Sequence, residues 1–171
     1  MDTKTVKLFA EYNRKTNEEM NRLIEQLAPA QWEQRWGGYY PTIQAICNHL
    51  YISDFIWLKR FGSLREFHYI EDDLFKDQLT LASTAFGSRR EYLDKRGSLD
   101  AKAVALAAEV TEDDLAAALT YKNFKGVEQR RNFGGLLLHM FNHGTHHRGM
   151  ISVYLDSLGI ENDYSNLFFL V

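Results

Sequence analysis

The chain has 171 residues, of which 45% are hydrophobic and 25% charged, and its net charge is −3 with the histidines neutral. This composition excludes an extended disordered chain, and the length predicts one domain over residues 1–171 that buries a core without disulfides. The 20 basic residues are scattered among 23 acidic ones and form no concentrated patch, so we expect no nucleic-acid partner.

Apolar runs and cysteine content bear on location. The longest apolar runs, such as residues 136–138, are far shorter than the roughly 20 residues that a membrane-spanning helix needs. Cys47 is the single cysteine, so no internal disulfide can form, which suits a reducing compartment. The first residues lack the apolar stretch of a secretory signal. We therefore expect a cytoplasmic protein without membrane spans.

Two long helices are predicted in the first third of the chain. Apolar residues at helical spacing predict a first helix that is capped by Asp2 or Thr3 and runs to about Leu27. A loop rich in tryptophan and glycine should follow. A second helix is predicted over residues 42–61, and His49 falls inside its apolar arc rather than on its polar face.

The remaining chain predicts two more long helices and a small accessory element. Residues 62–80 are expected to be irregular, and a third helix should occupy much of 80–108. Thr111 should cap a short helix, and a small hairpin is expected within residues 119–129. The last long helix should cover residues 132–158. We therefore predict an all-α fold, an up-down four-helix bundle with a short extra helix or hairpin before the last long helix.

Four of the six histidines lie within nine residues, at positions 139, 143, 146 and 147. His143 and His147 are four residues apart, so they share one helix face and could bind one ion at about 2.0–2.1 Å. His139 is about 12 Å from His147 along the helix, too far to share that ion. A third ligand must come from another element, and His49 is the best candidate. The predicted metal ligands are thus His49, His143 and His147.

Simpler explanations compete with this site. A lone histidine such as His49 is more often a satisfied core residue than a ligand, and a histidine pair on one helix is common by chance. Gly144 follows His143, so the HExxH motif of metalloproteases is absent. His146 points about 60° away from His143, which indicates a supporting or surface residue. His68 is expected at the surface.

Two glycines and two charges near the proposed ligands also invite interpretation. Gly144 and Gly149 bracket His147 inside a helix, where each costs about 1 kcal/mol relative to alanine. Close helix packing is our interpretation of Gly149, while for Gly144 both packing and room for a ligand stay open. Asp54 and Arg148 lie at the edges of apolar faces, so we expect them near each other on facing helices, as a pair.

Three segments resemble a known family. Residues 138–149 closely resemble the C-terminal signature of the DinB family of damage-inducible, YfiT-like metalloenzymes. Residues 48–58 look like that family's second-helix motif, and residues 8–13 look like its first helix. The resemblance covers nearly the whole chain and implies an up-down four-helix bundle with one metal held by three histidines. Those positions carry over to His49, His143 and His147.

The resemblance also implies a homodimer, nickel or zinc as the ion, and kinship with enzymes that transfer low-molecular-weight thiols. We therefore expect a small-molecule substrate, a thiol, and a metal-dependent S-transferase or hydrolase, with His139 or His146 as a candidate proton carrier. The alternative is a non-catalytic metal-binding protein of the stress response. Met150 stands where the family usually has glutamine, and this loss of a polar group slightly favours the alternative.

Overall fold

Helices dominate the computed structural model, which describes residues 1–164 and 166–171. Four of them are long, and a short antiparallel hairpin precedes the last one. The all-α fold class is therefore confirmed. In chain order the elements are α1 (Thr3–Glu25), α2 (Pro29–Trp32), α3 (Ile43–Phe61), α4 (Arg89–Glu109), α5 (Glu112–Ala116), β1 (Ala118–Lys122), β2 (Glu128–Asn132) and α6 (Phe133–Ser157).

Side-chain caps set where the long helices begin. Each cap residue accepts a hydrogen bond from a backbone N–H three residues later, which satisfies a donor that the first turn leaves free. These caps are Asp2, Thr42, Ser88 and Asn132. The cap at Ser88 explains why α4 begins later than the expected residue 80. Three of the four predicted helix starts agree with the structure within a residue or two.

The shorter elements differ more from expectation. Helix α2 lies in the segment expected to be a loop, and Pro29 occupies its first turn, where the missing N–H costs nothing. The predicted hairpin is present, and Gly126 turns between its strands with φ +75°. Thr111 caps α5 as predicted, through a reciprocal pair of bonds with Asp114.

Contacts between the long helices fix their relative directions. Helices α3 and α6 are antiparallel, because His49 lies beside His143 near one end and Phe61 beside Phe133 at the other. Helices α3 and α4 are parallel. The amide oxygen of Asn48 accepts from the backbone N–H of residue 85, just before α4 begins, and further along both helices Asp54 binds Arg96. The alternating up-down order is therefore wrong: the second and third long helices point the same way.

The long connection between α3 and α4 explains this order. Residues 62–88 start at the C-terminal end of α3 and return to its N-terminal end, a distance of about 28 Å for 19 helical residues. Short connections would force neighbouring helices to be antiparallel, whereas this one is long enough to cross back. It contains two 3-10 turns, at His68–Glu71 and Asp73–Lys76.

A buried polar cluster crosses the helix bundle. The Arg96 guanidinium is 3% exposed and binds Asp54 at 2.8 Å and Asp100 at 2.6 Å. Arg148, equally buried, donates instead to the Asn13 side-chain oxygen at 2.6 Å. Asp54 and Arg148 thus share one buried region, but the expected pair does not form, because each has a different partner on a neighbouring helix.

The two helical glycines have opposite surroundings. A Cβ atom at Gly144 would lie 3.0 Å from the Arg148 Nη1 atom and 3.0 Å from the Asn13 Oδ1 atom. Gly144 therefore permits the close approach of α1 to α6. A Cβ atom at Gly149 would meet no atom within 4 Å. The packing interpretation of Gly149 is therefore wrong, and of the two alternatives left open for Gly144 the contacts favour packing.

No helix in residues 1–164 and 166–171 combines the length and apolar character needed to cross a membrane.

Candidate metal centre

The antiparallel faces of α3 and α6 bring three histidines together. His49 lies in the second turn of α3, and His143 and His147 lie one turn apart in α6. The Nε2 atom of His143 is 3.1 Å from that of His49 and 3.1 Å from that of His147. The candidate ligand atoms all lie within 4.8 Å of one another. The sequence-predicted set is therefore assembled at one point.

These separations suit a single transition-metal ion. Nitrogens bound at about 2.0–2.1 Å stand about 2.9 Å apart at a right angle and about 3.4 Å apart at the tetrahedral angle. The observed 3.1 Å falls between these values for both contacts of His143. The three imidazoles could hold an ion with little movement, and two helices supply them.

Burial keeps the three imidazoles neutral. Desolvation, and then the neighbouring His143, lower the pKa of His49 to about 4. Desolvation and the other histidines lower the pKa of His147 to about 3. The pKa of His143 is lowered as well, mainly by desolvation, although Asp54 opposes this shift. At neutral pH the rings therefore keep the free lone pairs that a metal ligand needs.

The second ring nitrogens of two histidines lack the usual support. The Nδ1 atoms of His143 and His147 are buried and make no hydrogen bond to protein within the described residues. In most metal sites this nitrogen donates to a carboxylate or carbonyl oxygen, which fixes the ring. Here ring packing fixes it instead. The Nε2 atoms of His49 and His147 both face that of His143, where a cation could accept their lone pairs.

Two residues beside the cluster had not been singled out from the sequence. The Ser53 hydroxyl is 3.4 Å from the Nε2 atom of His49, and Ser53 is only 6% exposed. The ring of Tyr40 stacks on His49 at 4.5 Å between centroids and meets His147 edge-on at 5.3 Å. Burial raises the pKa of the Tyr40 phenol. Ser53 was detectable, because it lies one turn after His49 on the same helix face.

Contacts from α6 hold the Tyr40 loop over the cluster. The Tyr154 hydroxyl donates to the backbone oxygen of Tyr40 at 3.0 Å and also contacts that of Gly37 at 3.3 Å. The Tyr154 ring stacks on Trp36 at 5.5 Å. Gly37 and Gly38 have φ values of +89° and +78°, which side-chain-bearing residues rarely adopt. This loop positions Tyr40, and no sequence motif signalled it.

The other candidate residues lie around or away from the cluster. His139 is exposed, with its ring 6.1 Å from that of His143, and the exposed His146 is 4.9 Å from His147. His68 is at the surface as expected, with its ring 3.2 Å from Glu109. Burial raises the pKa of the Cys47 thiol to about 12, so this cysteine is unreactive.

The fold and the site together define an all-α protein with a candidate three-histidine metal centre. Comparison with known proteins gives the family: the sequence model of the DinB family matches residues 1–168, and the chain belongs to that family. It is similar to Protein DinB of Bacillus subtilis (strain 168), with 24% identity over 149 residues. That alignment covers 87% of this chain and 83% of the relative.

Proposed function

We propose that the protein binds one divalent metal ion, nickel or zinc, through the Nε2 atoms of His49, His143 and His147. The convergence of three neutral, half-buried to buried imidazoles is the observation that carries this proposal. Imidazole donors without a carboxylate among them suit zinc and nickel, whereas magnesium and calcium require oxygen ligands. Family membership also supports a metal site.

We further propose a metal-dependent enzyme of the thiol-transferase type, with a hydrolase as the related possibility. Three protein ligands leave coordination positions for small molecules, and an ion held this way lowers the pKa of a thiol or water molecule that binds to it. The thiol sulfur would lose its proton and form a bond to an electrophilic carbon, while the leaving group departs with its bonding electrons. The exposed His139 or His146 would carry the proton to solvent.

Residues of the chain would orient the reactants. Ser53 offers a buried hydroxyl beside His49, which can accept or donate a hydrogen bond to a group at the cluster. Tyr40 stacks on the His49 ring and meets the His147 ring edge-on, so it would shield part of both rings from solvent. The Ser53 hydroxyl is a polar group beside the proposed ligands, and its presence there favours an enzyme.

The second candidate function is a non-catalytic metal-binding protein of the stress response. Met150 favours it, because a half-buried methionine packed against the core replaces the polar group usual in the family. Against this, the Ser53 hydroxyl is a polar group at the cluster itself, which favours the enzyme.

Metal titration tests the site. We expect that His49→Ala, His143→Ala and His147→Ala each remove most zinc and nickel binding measured by calorimetry and elemental analysis, whereas His68→Ala does not. Two imidazoles on one helix give a weak site, and the third completes it. His139→Ala should weaken binding only modestly. Abolished binding in that variant, with His49→Ala unaffected, would reject the assignment of the third ligand.

A thiol screen tests the reaction. The metal-loaded protein is incubated with monobromobimane and, in turn, glutathione, cysteine and coenzyme A, and the fluorescent thioether is followed. We expect one thiol to react faster with the loaded wild type than with the His143→Ala variant. Stoichiometric metal binding without acceleration of any thiol would instead support the non-catalytic function.

The assembly and location are also proposals. We propose a single domain over residues 1–171 that forms a homodimer in the cytoplasm, where low-molecular-weight thiols stay reduced. Family resemblance supports the dimer. Light scattering should give about twice the chain mass of 19.9 kDa. A mass near that of one chain at high protein concentration would rule the dimer out.

A further inference from the structure

A surface hollow lies beside α3, α6 and the hairpin, next to the histidine cluster. Its volume is about 430 Å³, within the range of small-molecule sites. Two of its lining residues are one helical turn from the cluster: Trp57 follows Ser53 by four residues in α3, and His139 precedes His143 by four residues in α6. The His139 ring, which lines the hollow, is 6.1 Å from the His143 ring of the cluster, so the two are about one helical turn apart.

Aromatic rings form much of the wall of the hollow. The Trp57 ring meets the Tyr121 ring edge-on at 5.4 Å and the His139 ring edge-on at 5.4 Å. Leu136 lines the hollow from α6, beside Gly135. A Cβ atom at Gly135 would meet only the Asn132 Oδ1 atom, at an ordinary 3.5 Å, so space remains above this glycine. The Arg60 guanidinium lies over the Trp57 and Tyr121 rings at 4.9 and 5.0 Å, and the remaining aromatic surface suits a flat apolar group.

The rim of the hollow is positively charged. Arg131 lines it, and its guanidinium donates to the Arg130 backbone oxygen and the Gln129 side-chain oxygen, with no ion pair to an acidic residue among the described residues. Leu119 and Tyr121 share a face of the hairpin with Arg131, whereas Arg130 is on the opposite face. The N-terminal end of α6 adds a partial positive charge through residues 132–135. No aspartate or glutamate lines the hollow, so its electrostatics favour an anion.

We propose that this hollow binds the aromatic end of a small substrate that carries a carboxylate or a similar anionic group, with the reacting atom placed at the histidine cluster. The proposal rests on the enzymatic function proposed above and specifies its substrate class. Trp57, Tyr121 and His139 contact the ring, and Arg131 contacts the anion. The separation of one helical turn requires a linker of a few bonds between ring and reacting atom.

The probe is 2-naphthoate, with neutral 2-naphthamide as its uncharged counterpart, titrated by calorimetry into protein kept metal-free with EDTA. Removing the metal prevents the carboxylate from binding an ion instead. We expect saturable naphthoate binding that Gly135→Leu weakens at least ten-fold, because the new side chain fills the hollow. Gly135→Ala, which adds only one methyl group, is the matched control and should bind nearly as the wild type does. Trp57→Ala should weaken both probes.

Charge is tested separately. Arg131→Gln should weaken naphthoate about two- to five-fold, as for an exposed ion pair, and leave naphthamide unchanged. Arg130→Gln should change neither. The proposal is overturned if naphthoate does not bind saturably, if Gly135→Leu binds as Gly135→Ala does, or if both arginine variants behave alike. If naphthoate binds as expected but the separate metal titration shows no zinc or nickel binding, the hollow is retained and the metal function is rejected. If metal binds but naphthoate does not, only the hollow is rejected.

Discussion

Two glycine-to-alanine substitutions on one helix should have opposite effects. Alanine is more favourable than glycine inside a helix by about 1 kcal/mol. Gly149 has no atom within 4 Å of the position of a Cβ, so Gly149→Ala should gain the full amount. At Gly144 the same gain meets a contact of 3.0 Å with each of Arg148 and Asn13, which are bonded to each other at 2.6 Å.

If Arg148 or Asn13 moves away from the new methyl group at position 144, the hydrogen bond between Arg148 and Asn13 weakens. A hydrogen bond to a charged group contributes about 1.5–3 kcal/mol, so Gly144→Ala should lose about 0.5–2 kcal/mol net. For a chain of this size each kcal/mol moves the melting temperature by about 2–4 °C. Thermal and urea unfolding in EDTA, which removes any contribution from metal, measures both variants. Equal stabilisation of both would refute the packing role of Gly144, and a destabilised Gly149→Ala would contradict the open surface around that residue.

Three further predictions concern charge and metal. In the unfolded chain an imidazole has a pKa of about 6.5. In the folded chain the pKa of His49 is about 4 and the pKa of His147 is about 3. As the pH falls, the unfolded state therefore takes up protons before the folded state does. Metal-free protein should therefore lose stability in urea titrations as the pH drops from about 6.5 to about 4, and a variant with glutamine at all three cluster positions should lose less. Arg96→Met removes the partner of the partly buried Asp54 and the buried Asp100 carboxylates, so it should cost about 3–5 kcal/mol in urea unfolding. Arg90→Met is the control and should cost about 0–1 kcal/mol, because its pair with Asp94 is exposed. Similar losses in the two variants would refute the role of burial. Zinc at 100 times its dissociation constant should stabilise the fold by about 2.7 kcal/mol in calorimetry, reversibly on EDTA addition, and no shift in melting temperature would count against the site.

Local patterns predicted the histidine cluster well. The four-residue spacing of His143 and His147 fixes a shared helix face, and His49 followed from its position in an apolar arc. Ser53 could have been found by the same rule, one turn after His49. Tyr40 could not, because it reaches the cluster from a loop whose path depends on contacts with Tyr154 in α6.

Helix directions and buried pairings were harder to predict. Periodicity gives the apolar face of a helix but not the direction of its neighbour, so the parallel arrangement of α3 and α4 depended on the path of residues 62–88. Asp54 had two possible arginine partners, Arg96 and Arg148, and only the packing of the helices selects the first. The open space beside Gly149 likewise depends on how the helices pack, which the neighbouring residues in the sequence do not determine.

The histidine cluster and the buried polar cluster have different roles: the first is the candidate metal site, and the second holds the helices together. Arg96 and its two carboxylates join α3 to α4, and Arg148 joins α6 to α1, without any contribution from the proposed ligands. The contacts that join the helices carrying the three imidazoles therefore involve protein groups alone. If the cluster keeps this geometry without an ion, metal binding costs little free energy for ordering the chain. For the same reason the protein should stay folded after chelation, because its charges and its apolar core, rather than the ion, hold the helices in place.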